Sequence, residues 1–192
     1  MTRTYTLKRR AAQQAETRRR IVEAAVDLHT RVGPARTTVS MIAERAGVQR
    51  HTFYAHFPDE RSLFLACSGL TMERDPPPDS GPWLAIEDPR VRLRVALRAI
   101  YAWYERNAEL FASVLRDAEI HPPTREIMAM RFEPQIASYQ KILGEKLCAR
   151  QRALLPLALS YFTWRTLGRE CGLSLDAAVD TMVQVIDCAD LA

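Results

Sequence analysis

Apolar residues recur at helical spacing along almost the whole chain, and this pattern constrains the fold more than any other feature. In the first predicted helix, Ile21, Ala25, Leu28 and Val32 share one face at intervals of three and four residues. No segment shows the sustained two-residue alternation, bounded by turn signals, that indicates a half-buried strand. The sequence therefore predicts an all-α fold of about nine helices.

Proline and glycine divide this helical pattern into two parts. Residues 75–82 contain four prolines and one glycine, so an α-helix cannot continue through them. We predict an N-terminal domain over residues 1–72, a stiff Pro-rich connector over residues 73–86 and a helical-bundle domain over residues 87–192. The last two helices are predicted over about 153–168 and 174–190, with Pro156 in the first turn of the former.

The net charge of +4 comes entirely from the first third of the chain. Residues 1–62 hold 12 Lys and Arg against 6 Asp and Glu, whereas the remaining residues hold 15 against 17. A basic module beside a nearly neutral one is typical of proteins that bind a phosphate backbone, and a membrane surface is the alternative partner. We interpret Arg3, Lys8, Arg9 and Arg10 as a mobile basic arm.

The composition argues against several other classes of protein. The chain has no run of about 18 uncharged apolar residues and its first 20 residues are polar, so we expect a cytoplasmic protein without a membrane span. Its four cysteines form no Cys-x-x-Cys or Cys/His cluster, so we predict buried thiols and no disulfide, metal or cofactor. Cys171, in a predicted loop, is the only candidate for a redox sensor.

Residues 38–57 have the parts of a helix-turn-helix, in which the second of two short helices enters the major groove of DNA. Thr38 is a suitable N-cap, Ala43 permits close helix packing and Gly47 suits the tight turn. Phe53 and Phe57 are predicted to anchor the second helix. The side chains then left to face outward are Arg50, His51, Thr52, Tyr54 and His56.

The sequence of residues 37–57, TTVSMIAERAGVQRHTFYAHF, followed by Leu63-Phe64, resembles the N-terminal domain of the TetR (tetracycline repressor) family. The resemblance covers about residues 16–67, and Ile-Ala-x-x-Ala-Gly-Val followed by Thr-Phe-Tyr-x-His-Phe is far more specific than a generic helix-turn-helix. It implies a dimer of nine-helix subunits, a recognition helix over residues 50–56 and a C-terminal domain that often binds a small effector and releases DNA.

The resemblance also implies a role for each matching side chain. Arg50, His51 and Ser40 correspond to positions that approach base edges, and the fork of Arg50 suits guanine O6 and N7. Positions that typically touch phosphates are matched by Thr38, Thr52, Tyr54 and His56, and the ring of Tyr54 also suits a thymine methyl group.

Three residues depart from the family pattern. His51 stands where glycine is frequent, so the operator is expected to differ from familiar ones. Glu60 replaces a lysine that often meets phosphate, and Arg61 is the predicted substitute. Met41 stands where an acidic capping partner of Thr38 is common, which predicts a weaker cap.

Aromatic residues are concentrated in the second domain, where most are expected to form the core. Such rings also suit an apolar cavity for a small apolar or aromatic effector. Our candidates for its lining are Trp103, Met128, Phe132 and Trp164. We interpret His29 and His121 as structural.

The last two helices carry apolar stripes that suit a four-helix bundle with a second subunit. We therefore predict a homodimer through these helices, and packing within one subunit is the alternative. The stripes consist of Leu154, Leu157, Ala158, Tyr161, Arg165 and Gly168 on one helix and Leu175, Ala178, Val179, Met182, Val183 and Ile186 on the other.

We predict a transcriptional regulator, in particular a repressor that leaves a pseudopalindromic site on double-stranded DNA when an effector binds. The alternative is a DNA-binding regulator without a small ligand, controlled by its abundance or by a protein partner. An enzyme is not expected, because the chain has no Gly-rich phosphate loop, no His-Glu-x-x-His, no Gly-x-Ser-x-Gly and no paired carboxylates near a base.

Overall fold

The computed structural model describes the backbone of residues 2–189 and the side chains of residues 8–189. Over that range the chain forms ten α-helices and no strand, so the all-α prediction is confirmed. The helices are α1 (Thr2–Arg31), α2 (Val39–Ala46), α3 (Arg50–His56), α4 (Glu60–Arg74), α5 (Pro89–Arg106), α6 (Ala108–Ala118), α7 (Pro122–Gly144), α8 (Ala149–Ala158), α9 (Tyr161–Arg165) and α10 (Leu175–Cys188). Two 3₁₀ turns (Pro34–Arg36 and Gly81–Ala85) and a π-helical turn (Thr166–Glu170) complete the helical segments.

The helices form two compact units. The first comprises Met1–Pro76 and Glu109–Ala129, and the second comprises Pro77–Ala108 and the chain from Met130 onward. The boundary between the two units, at Pro76 and Pro77, lies within the predicted connector. The first unit also contains most of α6 and the start of α7, which we predicted to lie in the second domain.

The core of the first unit is built by α1 to α4. Ile21 and Ala25 on α1 are fully buried, and Ile42, Phe53 and Phe57 pack into the same cluster. Residues three and four apart on a helix lie on one face, so the apolar spacing read from the sequence is sufficient to place them together.

Helix α6 fixes the turn between α1 and α2 in the first unit. The Ala35 amide N–H donates to Asp117 Oδ2 at 2.9 Å, and the Ser113 hydroxyl donates to the carbonyl of Thr30 at 2.7 Å. Gly33 has φ +99°, and a Cβ there would lie 2.3 Å from Asp117 Oδ2. Glycine is therefore required both by the backbone conformation and by the close approach of α6.

The Pro-rich segment differs from the stiff connector that we predicted. Gly81–Ala85 forms a 3₁₀ turn, and Trp83 is buried with its ring centroid 4.9 Å from that of Tyr139. Proline excludes the α-helix here, but one 3₁₀ turn needs few amide donors and allows the indole to reach the core.

The predicted helix over 153–168 is wrong, because the chain breaks between α8 and α9. The carbonyls of Ala158 and Leu159 at the break accept hydrogen bonds from the Tyr101 and Tyr104 hydroxyls, at 2.9 and 2.7 Å. Ser160 then caps α9 by accepting from the Phe162 amide at 3.1 Å. Pro156 consequently lies near the end of α8 and not in the first turn of a longer helix.

The apolar stripe of α10 is already used inside the second unit, where α10 packs against α5 and α8. Its buried residues are Ala178, Val179, Met182, Val183 and Ile186. The prediction that this stripe is available to a second subunit is therefore wrong. The exposed large apolar side chains on α8, α9 and α10 are instead Leu157, Phe162 and Val185.

Candidate nucleic-acid interface

Helices α2 and α3 meet at a tight turn, as the sequence predicts. Thr38 Oγ1 accepts from the Met41 amide at 3.3 Å, which is a long N-cap bond. Gly47 has φ +64° and ends α2, and the Val48 amide donates to the carbonyl of Ala43 at 2.9 Å. A left-handed residue that satisfies the last carbonyls of a helix turns the chain sharply, so α3 begins only three residues later, at Arg50.

Helix α3 is held from one side only. Phe53 and Phe57 are buried, their ring centroids lie 5.9 Å apart, and the Arg18 guanidinium of α1 lies 4.5 Å from the centroid of the Phe57 ring. Arg18 belongs to the run of three arginines on α1. Its contact with an aromatic face depends on tertiary packing and was not predicted.

The other face of α3 carries the predicted contact residues. Arg50, His51 and Tyr54 are exposed, and Tyr54 retains 48% of its accessible surface although its ring packs edge-on against Phe53. Thr52 and His56 are half-buried, whereas Thr38 and Ser40 at the start of α2 are exposed. Six of the eight predicted residues thus lie on α2 and α3, and a seventh, Thr38, caps α2.

The eighth residue, Arg61, lies in the first turn of α4 and has a partner in the protein. Its Nε donates to Glu126 Oε1 of α7 at 2.8 Å, and both side chains are more than half exposed. The neighbouring Glu60 lies 3.6 Å from His121 Nε2. The Nε–H of Arg61 is therefore already paired with a carboxylate, which partly offsets its charge, and sequence spacing gave no signal of this pair.

The basic N-terminal segment is helical and not a mobile arm, so that prediction is wrong. Helix α1 begins at Thr2, and the exposed Lys8, Arg9 and Arg10 lie on it. Strong helix formers, Ala11 to Ala15, continue the helix here. The Arg3 side chain lies outside the described residues.

Three of the four predicted effector contacts belong to one aromatic cluster in the second unit. The ring centroids of Trp103 and Phe132 lie 6.0 Å apart, and Tyr104 packs between Trp103 and Trp164 at 5.6 and 6.2 Å. Met128 belongs to the first unit, on the part of α7 that precedes Met130.

The four thiols are free, and burial distinguishes them. Cys67 is buried, which raises its pKa to about 12, and Cys148 is half-buried. Cys171 and Cys188 are exposed, so the prediction of a buried thiol is wrong for Cys188. Among the described side chains no three His, Cys, Asp or Glu are placed to hold a metal ion. Over the same part of the chain, no helix is both long and apolar enough to cross a membrane.

The chain resembles known regulators both in sequence and in fold. Residues 21–67 match the family model of bacterial regulatory proteins of the tetR family. Over 74 residues the chain is 36% identical to the HTH-type transcriptional regulator SrpR of Pseudomonas putida, and it is 36% identical over 74 residues to the uncharacterized HTH-type transcriptional regulator TtgW of a strain of the same species. Each match covers 37% of this chain, and it covers 35% of SrpR and 55% of TtgW.

The fold agrees over nearly the whole length. A TetR-like transcriptional regulator from Rhodococcus sp. RHA1 superposes with a TM-score of 0.62 at 18% identity, covering 92% of this chain and 96% of that one. The family model matches the segment that contains α2, α3 and the residues exposed on them. The chain is therefore similar to bacterial regulatory proteins of the tetR family in the sequence of residues 21–67, and its fold is that of a TetR-like regulator.

Proposed function

We propose that this protein is a transcriptional regulator that inserts α3 into the major groove of double-stranded DNA. The observation that carries the proposal is the division of α3 into two faces. Phe53 and Phe57 anchor one face in the core, whereas Arg50, His51 and Tyr54 project from the other. A short helix held this way is the reading element of a helix-turn-helix.

The candidate contact residues divide into proposed base contacts and proposed phosphate contacts. Arg50, at the first position of α3, suits a bidentate contact with guanine, and we propose that the exposed His51 and Ser40 contact neighbouring bases. The phosphate contacts that we propose are Thr38, Thr52, Tyr54, His56 and Arg61. Base contacts specify the sequence, whereas phosphate contacts position α3 and make affinity depend on salt.

We propose that the protein acts as a homodimer through α8, α9 and α10. Leu157 and Phe162 each retain 50% of their surface, although they are large apolar side chains. A two-fold symmetric dimer that buries these side chains presents two copies of α3. Such a dimer matches a pseudopalindromic DNA site with two half-sites. Leu157→Glu and Phe162→Glu are expected to shift the protein to monomer in sedimentation velocity, and Val91→Glu, at an exposed valine of α5, is the control. A dimer that survives both substitutions contradicts this interface.

The finer proposal is a repressor that an apolar or aromatic effector releases from DNA, with the cluster of Trp103, Phe132 and Trp164 as the receiving site and Met128 as a further candidate contact. Effector binding acts by changing the spacing of the two recognition helices. A second candidate is a regulator without a small ligand. It is favoured by the close ring packing around Tyr104, whose hydroxyl is bonded to the carbonyl of Leu159.

The test is selection of bound DNA from a random pool by the full chain. We expect a pseudopalindromic consensus, and we expect Arg50→Ala and His51→Gly each to relax the preference at distinct base positions. Arg150→Ala, at an exposed arginine of α8, is the matched control and should leave the consensus unchanged. Recovery of no specific sequence would refute the proposed function.

A further inference from the structure

The first part of α1 extends beyond the core of its unit. Helix α1 covers Thr2–Arg31, but its first buried side chain among the described residues is that of Ile21. Of the thirteen side chains over residues 8–20, twelve are exposed and only that of Thr17 is half-buried. At a rise of about 1.5 Å per residue these residues form about 20 Å of helix, which we call the exposed segment of α1. Its side chains are accessible to another molecule over that whole length.

The exposed segment of α1 is strongly basic and has no apolar face. It holds six Lys and Arg against one acidic residue, Glu16, and its only apolar residues are three alanines. A helix that lies on a membrane needs large apolar side chains along one face, so the composition argues against a membrane surface as its partner. The phosphate backbone of DNA needs only cations and hydrogen-bond donors. The composition therefore favours DNA.

The cations of the exposed segment differ in whether the protein already neutralises them. Arg19 lies 2.7 Å from Glu16 and 2.9 Å from Glu23, so its charge is balanced by carboxylates. Four other cations form neither an ion pair nor a hydrogen bond with any described residue: Lys8, Arg9, Arg10 and Arg20. A cation without a protein partner can neutralise a phosphate and release its counterion without first breaking a salt bridge.

Helical spacing places part of this set on one face of α1. Arg9, Gln13 and Arg20 are separated by four and seven residues, which is close to one and two turns. Arg9 and Gln13 also line the same open groove on the surface of the helix. Glu16 lies beside them in that groove, but its charge is already paired with Arg19. The face therefore presents two guanidinium groups and one amide, all of which can donate hydrogen bonds to phosphate.

The exposed segment of α1 adjoins the C-terminal end of α3. Arg18, within the segment, holds its guanidinium 4.5 Å from the centroid of the Phe57 ring, and Phe57 is the C-cap of α3. Arg9 lies nine residues before Arg18, or about 14 Å along the helix axis. One DNA strand advances about 3.4 Å per nucleotide, so this distance corresponds to about four phosphates. The segment is therefore long enough to reach phosphates outside the base pairs that α3 contacts.

From these observations we infer that the exposed segment of α1 is a second, sequence-independent binding site for double-stranded DNA. Arg9, Gln13 and Arg20 contact backbone phosphates, and Arg10 contributes beside Arg9. The position of this contact rests on the proposed function, because α3 fixes where the segment falls on the duplex. Phosphate contacts carry no sequence information, so the site lengthens the footprint of the protein and raises its affinity without changing the consensus.

The first test measures the salt dependence of DNA affinity by fluorescence anisotropy, with the full chain and duplexes of random sequence. The variant Arg9→Gln/Arg10→Gln/Arg20→Gln removes three charges and introduces residues that favour a helix. Each phosphate contact contributes about 0.9 to the slope of log K against log salt, so we expect the slope to fall by about 2.7. The gain in affinity between about 200 and about 50 mM salt should then shrink about 40-fold.

Two further variants show whether charge at these positions is responsible. Lys141→Gln/Lys146→Gln/Arg150→Gln removes three exposed charges from the second unit and should leave the slope nearly unchanged. Lysine at the three α1 positions should retain the slope of the wild type, because neutralising a phosphate needs only the charge. An unchanged slope in the α1 glutamine variant, an equal fall in the second-unit control or a fall in the lysine variant would overturn the inference.

The second test locates the contact by hydroxyl-radical footprinting on a duplex that carries the selected consensus. We expect the wild type to protect backbone positions outside the consensus, and the α1 glutamine variant to lose only this outer protection. Protection confined to the consensus in the wild type contradicts the inference and leaves the proposed function intact.

Two outcomes separate this site from its alternatives. If no consensus is selected, the proposed function fails, whereas a fall in slope on random duplexes still supports the α1 site. Cosedimentation of the wild type with phosphatidylglycerol vesicles, lost in the α1 glutamine variant while DNA affinity is unchanged, would assign the segment to a membrane surface and overturn the inference.

Discussion

His29 is expected to make the stability of the first unit depend on pH. Burial lowers its pKa from 6.5 to about 4 in the folded chain, whereas the unfolded chain keeps the ordinary value. Between these two values the unfolded state binds a proton that the folded state excludes. Stability is therefore complete above about pH 6.5 and is lost as the pH falls toward 4.

The size of this effect follows from the two pKa values. Lowering the pH from 7 to 4.5 should cost the folded state about 2 kcal/mol through this group alone. His29→Phe abolishes the titration while it preserves the ring and its edge contact with Phe64. Because the carboxylates titrate alike in both proteins, the difference between their pH dependences isolates His29.

The measurement combines an NMR titration with chemical unfolding. The imidazole resonances of His29 should report a pKa near 4, and urea unfolding followed by circular dichroism and by amide exchange in α1 to α4 should show a steeper loss of stability in the wild type. A pKa of His29 near 6.5, or equal pH dependences in wild type and His29→Phe, would refute the reasoning.

Three further predictions concern the same unit. Asp117→Ala should lower the free energy of unfolding by about 1–3 kcal/mol, because Asp117 is 2% exposed and its loss leaves the Ala35 amide without its acceptor. Gly47→Ala should cost about 1 kcal/mol through its φ of +64° alone, since no atom crowds the added methyl group. Glu126→Gln should remove the ion pair with Arg61 and so free the guanidinium to contact a phosphate. The affinity for DNA should then rise, and the dependence of that affinity on salt should steepen by about one phosphate contact.

Each of these three has a matched control. Glu119→Ala removes an exposed carboxylate near Asp117, and Gly81→Ala places a methyl group where φ is not positive. Both should leave urea unfolding nearly unchanged. Glu133→Gln removes an exposed charge further along α7, and an equal rise in DNA affinity in this variant would contradict a specific role for Arg61.

Most of the helix-turn-helix segment could be predicted from local sequence. The N-cap at Thr38, the left-handed Gly47 and the anchors Phe53 and Phe57 all stand as the pattern predicts. Caps, turns and apolar spacing act over a few residues, so their outcome is nearly independent of the rest of the chain.

The second half was predicted less well. The apolar spacing predicted one helix across residues 153–168. The chain breaks there instead, because the Tyr101 and Tyr104 hydroxyls donate to the carbonyls of Ala158 and Leu159. In a continuous helix, backbone amides would have donated to those carbonyls. The stripe on α10 likewise fitted a partner subunit or the same subunit equally well. An apolar face on a helix predicts that the face is buried, but it does not predict which other helix or subunit covers it.

The sequence by itself determined that the chain is helical, where the helix-turn-helix lies and which face of α3 stays exposed, because these depend on propensity and periodicity along the chain. Only the tertiary structure decided that Arg61 meets Glu126, that Asp117 accepts from the amide of Ala35 and that His29 Nε2 is buried without a hydrogen-bond partner among the described residues. The first two pairs join residues 65 and 82 positions apart. Such contacts are set by the packing of whole helices, which no local pattern encodes.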